Sequence, residues 1–351
     1  MTGDAKDGVR TAFTERFGVR YPILNAGMGQ VALPNMVAAV SNAGGLGVFG
    51  AGSAPPDLVR QRIHAIRALT DSPFGINCPL ALPNAMDNAR VALEEEVPVI
   101  NYSMGRGDWI AERAAKYGGR TIASVTSVKL AESAQKHGAD AVIAAGYEAA
   151  GHAGEVSTFV LLPRLAEVLT IPVIAAGGVI SGAQVVAALN LGASAVSMGT
   201  RFATSQESPW HEAFKARAVA LDVQDTLYST KFDGIPCRML ETARATEIVN
   251  SQMNPVSAFF YSFQIAKELD IAYPKLLLDV LRKGPREALD MMRMAQMLKS
   301  NTASFAGDLE KGLVSTGQSV GLIHDTPEVA EIFARILNEM TDARSRLSQM
   351  W

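Results

Sequence analysis

Short apolar runs, rich in β-branched residues and bounded by glycine, proline or polar clusters, recur along the first 200 residues at intervals of about 20–30 residues. They fall near 21–25, 46–49, 74–77, 97–101, 121–125, 139–145, 171–176 and 193–198. Between them the apolar positions switch to helical spacing, over 34–43, 56–69, 84–95, 108–117, 127–137, 159–169, 181–191 and 209–220. Pro34 and Pro56 suit a first helical turn, and Gly138, Gly192 and the pair Gly118-Gly119 stand where helices should stop. The runs are apolar on both faces, as parallel strands covered by helices must be. Eight such units predict an α/β chain closed into a TIM (β/α)8 barrel, with an open doubly wound sheet as the alternative.

The count ends near residue 218. The expected organisation is a barrel built from 1–218 plus 318–351, and a helical second domain, 219–317, packed over the barrel mouth. Helical patterns over 255–269, 273–281 and 285–300 carry many Met, Leu and Phe residues. A final helix over 326–347 should return to the barrel wall.

Composition narrows the class. The 351 residues carry 32 basic and 35 acidic side chains, a formal charge of −3 with both signs scattered, which argues against a nucleic-acid partner. Two cysteines, Cys78 and Cys237, cannot build a disulfide framework or a cysteine metal cluster. The polar first 17 residues lack the apolar core of a signal peptide, so a cytoplasmic protein without a membrane span is expected. Residues 168–200 carry no charge and are long enough to span a bilayer, but Pro172, Gly177-Gly178, Gly182, Gln184, Asn190 and Gly192 interrupt them. Strand, helix, strand is the better reading.

Two glycine patterns compete as phosphate sites. The run 45–50 (GLGVFG) matches the dinucleotide fingerprint, with Asp71 downstream, but its glycines lie within a strand rather than between a strand and a helix. Close packing is the simpler explanation there. Gly177-Gly178 and Gly199-Thr200, in contrast, end the seventh and eighth strands, where TIM barrels often hold phosphate. Bare backbone N–H groups there can face an anion, the helix starting near Ser181 would add its dipole, and Arg201 would add charge or pair with an acid.

Catalytic groups of this fold sit at the C-terminal ends of strands. Those ends offer Asn25, Asn77, Asn101, Ser124, Glu148, His152 and Arg201, with no lysine for a Schiff base and no metal-ligand group. A phosphate site beside so few acid/base groups points to a cofactor that carries the chemistry, and FMN meets that need. His152, in the glycine-rich loop 146–154 (GYEAAGHAG), is the candidate acid/base or substrate-orienting group. Glu148 reads as a cap for loop N–H groups. His64, His137, His211 and His324 read as surface histidines away from the mouth.

Seven segments together resemble the nitronate monooxygenase (2-nitropropane dioxygenase) family: 22–29 (PILNAGMG), 41–47 (SNAGGLG), 73–77 (PFGIN), 148–154 (EAAGHAG), 175–178 (AAGG), 198–202 (MGTRF) and 317–323 (GQSVGLI). The likeness runs from about residue 14 to 340. It implies an FMN-bound TIM barrel with a helical second domain inserted before the C-terminal helix. It further implies that Gly27, Met28 and Asn77 contact the flavin ring, with Ala26 beside them in the cofactor site, and that Gly178, Gly199 and Thr200 hold the phosphate. Ser124, Gly151, Gly177, Ser197 and Met198 complete the cofactor-binding set. His152 matches the family histidine that takes a proton from, or orients, the substrate.

The implied activity is oxidation of alkyl nitronates with oxygen to carbonyl compounds and nitrogen oxides, on a small-molecule substrate, by a monomer or homodimer. Related flavoenzymes of the same fold supply the alternative: an NAD(P)H-dependent reductase acting on an enoyl thioester or quinone. A non-catalytic barrel binding a phosphate ligand is a third reading. Ala145, Ala150 and Ser124 depart from the family's usual side chains. Aromatic and methionine residues over 254–269 and 291–297, among them Phe259, Phe260 and Tyr261, either line the substrate mouth or form the core of the second domain.

Overall fold

A computed structural model describes residues 8–251, 293, 297, 300 and 302–350. Eight parallel strands follow one another: β1 (Ile23–Asn25), β2 (Gly47–Gly50), β3 (Phe74–Pro79), β4 (Val99–Ser103), β5 (Arg120–Val125), β6 (Ala141–Ala145), β7 (Val173–Ala176) and β8 (Ala195–Met198). Each pairs with its sequence neighbour, β1 pairs with β8, and bridges Leu24–Leu46 and Gly29–Gly50 close β2 onto β1. The protein is a TIM barrel. Every strand lies where the apolar runs predict it, most starting a residue or two later.

Helix α1 (Ala12–Phe17) precedes the barrel; α2 (Pro34–Asn42), α3 (Pro56–Leu69), α4 (Ala85–Glu94), α5 (Asp108–Ala114), α6 (Val128–Lys136), α7 (Thr158–Val168) and α8 (Gly182–Asn190) follow β1 to β7 in turn. Alternation along the strands divides the core in two. Leu24, Leu46, Val48, Val99, Ile122, Ile143, Ile174 and Ala195 point into the barrel, where Phe13 and Phe17 of α1 plug its N-terminal end. The intervening residues pack against the helices in an outer layer. The charge-free stretch 168–200 is thereby β7, α8 and β8, and no helix among the described residues is long and apolar enough to cross a membrane.

After β8 come a one-turn helix α9 (Thr200–Ala203), then α10 (Glu212–Ala218), and the chain leaves the barrel. The segment expected to be wholly helical contains an antiparallel hairpin, β9 (Thr226–Ser229) with β10 (Cys237–Leu240), before α11 (Ala243–Asn250). The helices expected over 255–269 and 273–281, most of that over 285–300, and Phe259, Phe260 and Tyr261 lie outside the described residues. The last helix, α12 (Val329–Ser348), packs on α8 and α2, so it fills the wall position that follows β8.

Candidate active site

A cavity of about 1230 Å³ opens at the C-terminal ends of the strands. The inward parity that sets the barrel core also sets its floor: Ala26, Asn77, Asn101, Ser124, Ala145, Ala176 and Ser197 each lie two residues beyond an inward position or continue that series, and all face the cavity. Of the residues expected to bind cofactor, Ala26, Gly27, Met28, Asn77, Ser124, Gly151, Gly177, Gly178, Ser197, Gly199 and Thr200 line it, as does His152. Met198 does not. It has the opposite parity to Ser197, is 1% exposed, and packs into the outer helix layer.

Bare backbone faces the cavity at the ends of β7 and β8. Gly178 has φ +75°, and a Cβ built there would come no closer than 3.7 Å to Glu148. At Gly199 the nearest atoms would be Ala26 Cβ at 3.6 Å and Met28 Sδ at 3.8 Å. Gly177, at φ +103°, is tighter: a Cβ would meet the Ala149 backbone nitrogen at 2.8 Å. Thr200 Oγ1 accepts from Gly317 N–H at 3.0 Å, bringing residue 317 to the same cradle.

Two expected contributors are committed elsewhere. The N-terminus of α8 is capped by Ser181, and Gly182 N–H donates to Glu339 Oε2 of α12 at 2.6 Å, so a carboxylate already answers that dipole. Arg201 is buried and turned outward, with Nη1 to Asp325 Oδ1 at 3.0 Å and Nη2 to the Asp325 carbonyl at 2.8 Å.

Across the floor, Asn77 Nδ2 donates to Asn101 Oδ1 at 2.6 Å, and Asn101 Nδ2 donates to Ile122 O and Ser124 Oγ, each at 3.0 Å. This row fixes Asn77 with its own Oδ1 left as an acceptor toward the cavity. Gly27 is glycine because a Cβ would fall 2.2 Å from Asn77 Cβ. Asn25, of outward parity, instead ties β1 to β2 through both the N–H and C=O of Val48. The fingerprint-like glycines serve packing: Cβ atoms at Gly45, Gly47 and Gly50 would strike Ile23 O at 2.5 Å, Val37 O at 2.0 Å and Met28 O at 2.2 Å.

His152 sits on the loop after β6, its side chain 34% exposed, with Nε2 2.6 Å from Asp233 Oδ2. Asp233 lies between β9 and β10 and was missed by sequence reasoning. The Asp233-Gly234 pair is a hairpin signal, overlooked because the helical patterns downstream, over 255–300, carry the helical reading back across the whole of 219–317. Glu148 caps α7, accepting from Thr158 N–H at 2.9 Å and Thr158 Oγ1 at 2.8 Å. His64 pairs with Glu95, and His137 bonds the Ser133 carbonyl. His211, expected away from the mouth, lines the cavity and accepts from Ala213 N–H through Nδ1.

Arg62 of α3 is a second missed residue. It lines the cavity with its guanidinium 5.9 Å from the Phe49 ring centroid, and it has no carboxylate partner among the described residues. Burial lowers its pKa below the ordinary arginine value.

Residues 10–109 and 89–339 match the family model described as nitronate monooxygenase. The chain belongs to the nitronate monooxygenase family. Its members are flavin-dependent oxidoreductases, and the chain is an enzyme of that class. A Rhodococcus jostii protein named (3aS,4S,5R,7aS)-5-hydroxy-7a-methyl-1-oxo-octahydro-1H-indene-4-carboxyl-CoA dehydrogenase is 32% identical over 97% of this chain and 98% of its own. A probable nitronate monooxygenase of Staphylococcus aureus is 31% identical over 64% of this chain and 76% of its own. The structure of FabK from Thermotoga maritima superposes with a TM-score of 0.81 at 36% identity, covering 98% of this chain and all (100%) of that one.

Proposed function

We propose that the protein is an FMN-dependent oxidoreductase acting on an acyl thioester, carried by coenzyme A or a carrier protein, with NAD(P)H as the other electron carrier. The observation that carries this reading is the cavity. At about 1230 Å³ it exceeds the roughly 300–1,000 Å³ that single drug-sized ligands occupy, so it has room for a flavin and a second extended ligand. The residues fit FMN: an anion cradle at Gly178, Gly199 and Thr200, a polar floor at Asn77, and a soft thioether at Met28.

Bound FMN would supply the two-electron redox chemistry. The chain's own residues do the rest. His152 exchanges the proton at the carbon next to the thioester carbonyl, and the strand ends hold the acyl portion above the floor. Arg62, a cation at the cavity wall with no carboxylate partner among the described residues, is placed to receive a phosphate of the carrier. The carboxyl-CoA dehydrogenase name belongs to a relative matched over nearly the whole chain, which supports the same substrate class.

Nitronate oxidation is the second reading, favoured by the family model's match over 10–109 and 89–339. His152 would then abstract the α-proton of a neutral nitroalkane. Anaerobic mixing separates the two. The flavin absorbance of the yellow protein should bleach with NADH or NADPH and return on addition of an enoyl-CoA such as crotonyl-CoA, with the saturated thioester as product. Bleaching by propionate 3-nitronate, without response to either nicotinamide, would reverse the assignment.

A further inference from the structure

We infer that Asp233 is a positioning residue that holds His152 in its Nε2–H form, leaving Nδ1 as the atom that exchanges a proton with substrate. The inference rests on the reading of His152 as the acid/base group and adds which atom acts and what sets it.

Asp233 is 6% exposed, and its two oxygens are both assigned. Oδ1 accepts from Ile235 N–H at 3.1 Å, which locks the carboxylate in the hairpin turn, and Oδ2 faces His152 Nε2 at 2.6 Å. An ionised carboxylate only accepts, so the proton of a neutral imidazole resides on Nε2. Among the described residues Nδ1 has no partner, and His152 lines the cavity. When Nδ1 takes a proton from a substrate C–H, the bonding pair stays on the substrate carbon, and the new imidazolium sits against the buried carboxylate.

The rest of the hairpin holds this geometry. Gly151 and Arg238 exchange two backbone hydrogen bonds, at 3.1 and 2.9 Å. The Tyr228 hydroxyl donates to the carbonyls of Ala153 at 3.1 Å and Gly154 at 3.3 Å, on the other side of His152. Arg238, 2% exposed, donates from Nε and Nη2 to the Tyr147 carbonyl while stacked 4.5 Å from the Tyr147 ring and 5.1 Å from that of Tyr228. The loop carrying His152 is thus sewn on both flanks to the element carrying Asp233, 81 positions away.

Cys237 completes a cluster with His152 and Asp233, their ligand atoms all within 4.8 Å of one another. Burial keeps its thiol protonated, so it is a neutral neighbour rather than a competing anion.

The test is the ring tautomer, read on the flavin-loaded protein with 15N-labelled histidine. Long-range proton–nitrogen spectra of five histidines are resolvable, with His152 assigned by its loss in His152→Gln. The wild-type ring should be in the Nε2–H form at neutral pH. Asp233→Asn, whose amide can donate to Nε2, should bring up the Nδ1–H form. The same variant should lower kcat by roughly 10²-fold or more, with KM and flavin content little changed. An Nδ1–H wild-type ring, or a tautomer indifferent to Asp233→Asn, overturns the inference; the first needs no variant and so no assumption about folding. One equivalent of tightly bound zinc, lost in Cys237→Ser, would overturn it in favour of a metal centre. The tautomer is measured without substrate, so a protein inert to thioesters but Nε2–H through Asp233 would refute the substrate reading alone.

Discussion

Substitution of Gly178 by alanine separates flavin binding from folding. In the ligand-free chain the new methyl would meet only Glu148 side-chain atoms, at 3.7, 3.8 and 4.0 Å, which is ordinary contact. The folded state therefore suffers chiefly from placing an L-residue at φ +75°, about 1–2 kcal/mol. The methyl, however, points into the cavity where a phosphate would approach the backbone. Losing one charge-assisted hydrogen bond removes about 1.5–3 kcal/mol, or roughly 12- to 150-fold in Kd.

Two other glycines calibrate the result. Gly182→Ala would drive a Cβ to 2.1 Å from Ile336 O, in the contact between α8 and α12, so it should lower Tm and leave flavin affinity of the folded protein alone. Gly177→Ala would strike Ala149 N at 2.8 Å and should damage both. The assay is quenching of FMN fluorescence by apoprotein, beside thermal unfolding of the same samples. Gly178→Ala binding FMN within about threefold of wild type would refute the phosphate placement.

Arg62→Ala should raise KM for a coenzyme A thioester about tenfold while barely changing that for the same acyl group on pantetheine, which lacks the nucleotide phosphates; equal effects on both would exclude the carrier-phosphate role. Both thiols are buried, and burial lifts Cys78 to about 12, so neither should react with a disulfide reagent at pH 8 until the chain unfolds; one fast thiol in native protein would contradict the packing. Burial pushes the Asp325 carboxyl up, but hydrogen bonds from Arg335 and Arg201 outweigh it and leave it below the usual range. Its stabilisation is therefore present above the ordinary carboxylate value of about 3.9 and lost as pH falls through the depressed one. The Tm gap between wild type and Asp325→Asn should hold steady above about pH 5 and close in acid; a gap that widens in acid would reverse the sign.

The barrel was legible because one physical rule repeats eight times: a strand buried on both faces must be apolar throughout, and its crossover helix must be amphipathic. The same regularity placed the glycines after β7 and β8 and the loop of His152. What failed depended on parity or on distant pairing. Met198 adjoins Ser197 in sequence, yet strand alternation sends one outward and the other to the cavity. The N-terminus of α8 reads as an anion donor because its partner, Glu339, comes 157 positions later, and Arg201, left open between adding charge and pairing with an acid, meets Asp325 124 positions on. Asp233 lay hidden for two reasons. Its hairpin precedes a Met- and Leu-rich stretch that looks helical and reads as part of it, and its role exists only once the loop after β6 meets it.

The position of α12 makes closure of the helical wall a long-range contact. The slot between α8 and α2, where the wall would be finished by a helix directly after β8, is filled by residues 329–348, far along the chain from β8. Without α12 the ring of helices has a gap, with the contact surface around Gly182 and Val185 uncovered and Gly182 N–H without its carboxylate. A chain lacking α12 has an unfinished wall on the side of β8 and the cradle at its end. Closure of the helical wall thus depends on the 20 residues of α12 rather than on the strands that carry the chemistry.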